Sequence, residues 1–255
     1  MNELRVSVAT YNQVVFPHPE NGVTMLALER KATVLKDGSI SVRAQPFGGG
    51  VKILNQKPLM KMLSKIQFDS ERSKQEQDFR ILIQPSQWDV VKQYCLERFE
   101  DPTDLDLESG PDRELVEEFK EVMGVSLKSS QYTVQPTGFV IEDNPVWTEN
   151  WYARGSPTVR VYRTYKVEII DGTLCQNLVC ASRQVSDDVL RKHALENGKG
   201  RANSALALPL HRVREAFLAL PLEKRFDNIE ADHHMLDKSV LVILEDIDVP
   251  QYLRL

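Results

Sequence analysis

Cysteine is scarce in this sequence: Cys95, Cys175 and Cys180 are the only three in 255 residues. An odd, unpatterned trio offers neither a zinc-ligand spacing nor a disulfide framework, and a reducing cytoplasm is the expected compartment. Long apolar runs are missing too. No stretch approaches the ~20 apolar residues a membrane span requires. The opening Met1-Asn2-Glu3-Leu4-Arg5 lacks the charged-then-apolar pattern of a signal segment, so no membrane partner is expected. Positive charge is not in excess. Basic residues number 32 against 37 acidic ones, a net charge of −5, so no overall basic field draws a nucleic-acid backbone and no nucleic-acid partner is expected. There is no Gly-x-Ser-x-Gly elbow, and no cysteine has a recognisable base beside it, which excludes the common nucleophile motifs. Internal repeats and low-complexity stretches are absent as well. The length fits one elaborated domain or two small ones.

Carboxylate, by contrast, is concentrated at one place. Glu114, Glu117, Glu118 and Glu121 fall at i, i+3, i+4 and i+7, so a helix here carries four carboxylates on one face. Like charges this close repel, and a helix that needed only solubility would intersperse Lys or Arg among them. A divalent cation removes that cost. Mg²⁺ prefers hard oxygen ligands and takes one or two carboxylates, leaving the rest of its shell to water and substrate phosphates. The face therefore reads as half of a phosphate site; its plain alternative is a solvated surface. Leu115, Phe119 and Val122 form an apolar stripe roughly 120° away, which docks the helix and points the acidic face outward.

Around this helix the patterns predict strands over residues 3–9 and 23–29, the second entering a hairpin whose turn is Lys36-Asp37-Gly38-Ser39. Helices are predicted over 58–66 and 87–99, the latter capped by Ser86, with an acidic surface loop over 99–111 and Asp112 or Gly110 capping the Glu-rich helix. Strands follow at 133–142 and 158–170, the second with Val159, Val161, Tyr165, Val167 and Ile169 on one face. A further strand is read at 173–181, paired through Asp171-Gly172, then helices at 186–197 and 209–220 and a strand at 239–244. Strands flanking one central helix suit an α/β (α+β) fold of α/β/α sandwich type with a mixed sheet.

Arg113-Glu114-Leu115-Val116-Glu117-Glu118 fits the Arg-Glu-apolar-x-Glu-Glu core of the Nudix box, and Gly124-Val125 its closing Gly-apolar pair. Phe47-Gly48-Gly49-Gly50, after the alternating Ile40-Ser41-Val42-Arg43, is similar to the Gly-rich turn upstream of that box. The chain thus resembles the Nudix family, which hydrolyses nucleoside diphosphates linked to another moiety. Two spacings depart from the family pattern. Phe119 to Met123 separate the Glu pair from the Gly, where the family has one residue, and residues 51–109 separate the glycines from the helix. Leu105 stands where the family has an upstream Glu, and Glu108 is the nearest substitute. A second register, counted back from Gly124, aligns Glu118-Phe119-Lys120-Glu121 but puts Glu117 in place of the Arg and Val122 in place of a metal-binding Glu.

The resemblance implies a Nudix-like domain over residues 1–182 with an inserted helical segment at 51–109, and a C-terminal helical extension, 183–255, packed on it. It implies Mg²⁺- (or Mn²⁺-) dependent hydrolysis of a pyrophosphate bond in a nucleoside diphosphate derivative. Glu117 and Glu118 would be the main metal ligands, Glu114 and Glu121 further ligands or the base, and Arg113 would orient a carboxylate. Gly48, Gly49 and Gly50 would meet the phosphates. The alternative is a catalytically inactive Nudix-like scaffold that binds a nucleotide-like effector or a protein; a third reading is an unrelated α+β scaffold with an acidic helix.

Other features carry two readings each. Trp147 and Trp151 near Arg154 suit stacking of a base or sugar ring on the substrate side, or else plug a loop against the core. Gly48 to Gly50 could equally form a flexible hairpin tip. His233-His234 beside Asp232 suggests a metal cluster, but adjacent residues do not face one point, and a solvated turn is preferred. Asn197-Gly198-Lys199-Gly200-Arg201 lacks the remaining spacing of a Walker loop and reads as an interhelix linker.

Overall fold

Alternation in the first strand sets the architecture. In β1 (Leu4–Pro17) the even positions Val6, Val8, Val14 and Phe16 are buried, while Ser7, Ala9 and Tyr11 face the other way and stay partly exposed, as a strand of period two requires. The computed structural model describes residues 3–35, 38–101, 103–147, 156–196 and 201–255. Among these the chain is mixed α/β, built on a curled mixed sheet.

After β1 come β2 (Thr24–Val34), β3 (Ile40–Gln45) and β4 (Phe47–Gly50), then β5 (Lys52–Ile53), α1 (Lys57–Leu63), β6 (Gln67–Phe68), α2 (Glu71–Glu76) and β7 (Arg80–Ile83). Next are α3 (Trp88–Glu100), β8 (Leu107–Glu108), α4 (Asp112–Met123), β9 (Tyr132–Trp147), β10 (Pro157–Ile169), α5 (Gly172–Gln184) and α6 (Asp187–Glu196). The chain closes with β11 (Arg201–Pro209), α7 (Leu210–Leu218), β12 (Ile229–Ala231), β13 (His234–Leu236) and β14 (Leu253–Arg254). The main strand order is β12-β13-β3-β2-β1-β10-β9-β14, with β11 added on β2 and both β4 and β7 on β1.

The long β1 is the hub. One edge runs parallel to β10 in the register Arg5↔Thr158 to Val15↔Glu168. Its other edge is shared in succession by β7 at Leu4 to Ser7, β4 at Ala9 to Asn12, and β2 at Val14 to Pro17. β3 and β4 are nearly continuous, but Pro46 lies between them, and a proline cannot donate to a ladder. The chain leaves β2 there and joins β1, and this carries the glycines of β4 to the middle of the sheet.

α4 is fixed by its apolar stripe. Leu115 and Phe119 are wholly buried with Val14, Phe16, Phe47, Val167 and Ile169. The Phe47 and Phe119 rings lie 4.8 Å apart. Burying each such side chain stabilises by roughly 1.5–3 kcal/mol. The helix ends where Gly124 turns left-handed at φ 66°, its N–H donating to the Lys120 carbonyl at 3.0 Å, the usual role of glycine at a helix terminus.

The β2–β3 hairpin forms in the register Glu29↔Gln45 to Val34↔Ile40; Lys36 and Asp37 of its turn lie outside the described residues. Several expectations are corrected. Residues 173–181 are helix α5, not a strand: Asp171 caps it by accepting from the Leu174 N–H at 2.8 Å, and Leu174, Cys175, Leu178 and Val179 bury one helical face. Residues 239–244 fall largely in a 3-10 helix, Lys238–Ile243, whose run Val240 to Ile243 is entirely buried, while the Asp237 carboxylate accepts the Ser239 N–H at 2.9 Å. A short apolar run buried on all sides has no period to separate strand from helix. Ser86 does not cap α3; Gln87 holds that place with no side-chain bond. Neither Asp112 nor Gly110 caps α4, which starts after Pro111, and Asp112 instead accepts the Tyr132 hydroxyl at 2.5 Å.

Residues 51–109 are not helical throughout, since β6 and β7 extend the main sheet through β1. Nor is 183–255 purely helical: β11 pairs with β2, β13 with β3, and β14 with β9. No helix among the described residues is long and apolar enough to cross a membrane.

Candidate functional site

The partly exposed face of β1 and β10 floors a cleft of about 540 Å³. Parallel pairing sets Ser7 beside Arg160 and Ala9 beside Tyr162, so Tyr11, Arg160 and Tyr162 all line it. The Tyr11 and Tyr162 rings stack with centroids 5.3 Å apart. One wall is strand β4 with Gly48, Gly49 and Gly50; another is α4 with Glu114, Glu117, Glu118 and Glu121. Basic side chains, Lys31, Lys52, Arg80 and Arg160 among them, line the cleft as well.

Two glycines explain how the helix reaches the strand. Gly48 sits at φ 146°, where a Cβ would collide with the Thr10 carbonyl. At Gly49 a Cβ would run into the Glu114 carboxylate. With no side chain in the way, the Gly48 N–H donates to Glu118 Oε2 at 2.6 Å. Arg113 ties the same elements together. Its Nη2 donates to the Gly50 carbonyl at 3.2 Å, its Nε to Glu108 at 2.7 Å, and its Nη1 lies 2.5 Å from Glu114 and 3.3 Å from Glu117. The guanidinium thus spans several acceptors, as its rigid fork allows, and Glu108 is one of its three carboxylate partners.

The four carboxylates differ in setting. Glu117 and Glu121 are exposed at the rim, Glu121 with Asn203 Nδ2 at 3.5 Å. Glu114 is half-buried, and burial raises its pKa despite the neighbouring Arg113. Glu118 is turned inward rather than outward. It lies at the border of the apolar stripe, and burial, with negative Glu29 nearby, pushes its carboxyl up to about 8 against the pull of Lys31 and the Gly48 N–H. Lys31 Nζ stands 2.6 Å from Glu29 Oε2 and 3.4 Å from Glu118 Oε1. On the facing side Arg80 pairs with Asp78 at 3.0 Å and Arg160 with buried Glu142 at 2.7 Å.

The fold therefore brings together Arg113, the four glutamates and the three glycines. Trp151 and Arg154 lie outside the described residues. Trp147 is exposed at the end of β9 and does not line the cleft. Asp232 and His233, both at positive φ, make the turn between β12 and β13, and His233 is exposed. Residues 197–200 lie outside the described residues.

Sequence reasoning missed Tyr11, Glu29, Lys31, Arg80, Arg160 and Tyr162. The available signal was the strand alternation, which sets Ser7, Ala9 and Tyr11 opposite the buried valines.

As the side chains stand, no three His, Cys, Asp or Glu groups among the described residues converge as metal ligands would; Arg113 and Lys31 neutralise the acids instead. The donor set is nonetheless all hard oxygen beside an open cleft, the kind Mg²⁺ takes. No family model, curated protein or solved structure matches the chain.

Proposed function

We propose that this chain is a Nudix-type pyrophosphohydrolase, cleaving a pyrophosphate bond in a nucleoside diphosphate derivative with Mg²⁺ (or Mn²⁺). One observation carries the reading. The glycine strand β4 and the acidic face of α4, separated in sequence by residues 51–109, line a single cleft and are tied together through Gly48–Glu118 and Gly50–Arg113. The resemblance required that juxtaposition, and the altered spacing alone did not promise it. The finer fold assignment, a Nudix-like α/β/α sandwich, belongs to the same proposal.

Glu117 and Glu118 would be the main ligands of the ion and Glu121 a further one; when bound, the ion supplies charge neutralisation at the phosphate oxygens and an acidified water. The chain's own groups do the rest. Burial shifts the Glu114 pKa upward, the direction that favours a base taking a proton from water. That water forms the new P–O bond, the bridging P–O bond breaks, and the two phosphorylated fragments leave. Arg113 fixes the Glu114 and Glu117 carboxylates, a positioning role that commonly matters 10–100-fold for a metal site. Arg80 and Arg160 offer positive charge to the phosphates, and the Tyr11–Tyr162 stack offers an aromatic surface to a base or sugar.

A second reading has its own support. Lys31 and Arg113 already neutralise the buried carboxylates, which suits an inactive scaffold that binds a nucleotide-like effector without turnover. Incubation with a panel of nucleoside diphosphate derivatives, in Mg²⁺, Mn²⁺ or chelator, separates the two. The expected result is metal-dependent release of a nucleoside monophosphate from at least one member. A folded protein inert on every member would favour the scaffold.

A further inference from the structure

We infer that Arg80, Ser7 and Arg160 form an anion cradle on the floor of the cleft, which takes a phosphoryl group other than the one cleaved. The cradle stands on the sheet geometry alone. Its substrate class, a nucleoside diphosphate derivative whose second moiety carries a phosphate of its own, rests on the function proposed above.

Pairing registers set the three residues side by side. Ser7 of β1 is opposite Arg80 of β7 on one edge and Arg160 of β10 on the other, and laterally paired residues share one face of a sheet. All three line the cleft. Positive charge gathers there: Arg5, two residues before Ser7, is buried against Asp69 at 2.7 Å, and after burial both Arg80 and Arg160 contribute to lowering its pKa. Lys52 lines the cleft too and forms no ion pair among the described residues.

Each arginine is steadied by a carboxylate that engages only part of its fork. Arg160 Nη1 donates to Glu142 Oε2 at 2.7 Å, and Glu142, on the neighbouring β9, is buried and does not line the cleft. Arg80 Nη1 stands 3.0 Å from Asp78 Oδ2. Gly50 leaves it room, since a Cβ there would come within 3.3 Å of Arg80 Nη2. A guanidinium holds five N–H donors in fixed geometry, so one carboxylate contact leaves others to meet an oxyanion. Between the two forks the Ser7 hydroxyl makes no hydrogen bond among the described residues. Glu76, another acid lining the cleft, pairs with Arg72 at 2.9 Å.

Position along β1 separates this cradle from the acidic face. Tyr11 pairs with Gly48, whose N–H holds Glu118, and Ser7 lies four residues away, roughly 13 Å along the strand. A ligand that reaches from one to the other carries an anionic group remote from its scissile bond.

The test is calorimetric titration with inorganic phosphate, in chelator to keep cations out, of the unaltered protein, Ser7→Ala, Ser7→Asp and Arg160→Lys. The unaltered protein is expected to bind phosphate, and Ser7→Ala to bind it a few-fold more weakly for want of the hydroxyl. Ser7→Asp sets a like charge against the anion and should weaken binding about tenfold or more. Arg160→Lys keeps the charge but loses the fork and should weaken it as well, which serves if Ser7→Asp folds poorly. The substrate class is read from turnover of derivatives whose second moiety is phosphorylated or neutral: the unaltered protein should prefer the phosphorylated ones, and Ser7→Asp should lose that preference. Turnover without the preference overturns the substrate class. A folded unaltered protein that binds no phosphate, or a Ser7→Asp that binds it equally well, overturns the cradle while the hydrolase reading stands. Phosphate binding that Ser7→Asp loses, with no derivative turned over, upholds the cradle and overturns the hydrolase reading instead.

Discussion

Glu118 is the residue on which most depends. Glu118→Gln keeps the shape and the bond from the Gly48 N–H but removes the charge, so metal-dependent turnover should fall by about 10- to 100-fold or more. The same substitution has a signature in the metal-free protein. Burial and the nearby Glu29 raise the folded-state carboxyl to about 8, above its unfolded value near 4.3. The folded chain thus holds a proton that the unfolded chain releases. The stabilisation is present in full below the unfolded value and is lost as pH rises through the folded one. Calorimetry between about pH 5 and pH 8 should show this decline in the unaltered protein and a flatter profile in Glu118→Gln; equal slopes would refute the assignment.

Glycines give a second contrast at this scale. Gly49→Ala places its methyl against the side-chain carboxylate of Glu114 rather than against backbone, so turnover should drop while the circular dichroism melt changes little. Gly48→Ala meets backbone at a strained φ and should lower the melt itself. The acidic face, Arg113 and the glycines were legible in the sequence because they lie in short local patterns. Lys31, Glu29, Arg160 and the two tyrosines were not, because β2, β1 and β10 bring them in through long-range pairing registers.

Among the elements, α4 is positioned by its apolar side. Phe119→Ala removes a wholly buried ring tilted against Phe47 and should cost about 3–5 kcal/mol. For a chain of this size that is a fall in Tm of roughly 10 °C. A thermal melt checks it; a change of only a degree or two would mean that the helix is held by something other than its stripe. At α5, Asp171→Ala deletes the cap on Leu174 and should cost about 1 kcal/mol.

Element type was readable wherever a period or a turn signal was clear, as in the β2–β3 hairpin, α3, α4 and the β9 and β10 strands. It failed at α5, where the Leu, Cys and Val residues suit either state and Asp171-Gly172 served as a cap rather than a hairpin turn. β11 was overlooked because Ala and Leu carry weak strand preference, and its pairing with β2 decides its state.

For the molecule as a whole, the cleft belongs to the sheet more than to the helix. β1, β2, β4, β7 and β10 all contribute to its floor or walls, so the glycines and the helix meet there although residues 51–109 separate them in sequence. Ligands that bind only the folded state must raise its stability, by about 1.4 kcal/mol at ten times the dissociation constant. That corresponds to a few degrees in Tm for a chain this long. The decisive measurement is the melting temperature across Mg²⁺ and Mn²⁺ concentrations, with Glu118→Gln alongside. A saturable, metal-dependent rise in the unaltered protein that Glu118→Gln loses is the expected result. No rise at any concentration, or an equal rise in Glu118→Gln, would contradict a cation site on the acidic face of α4.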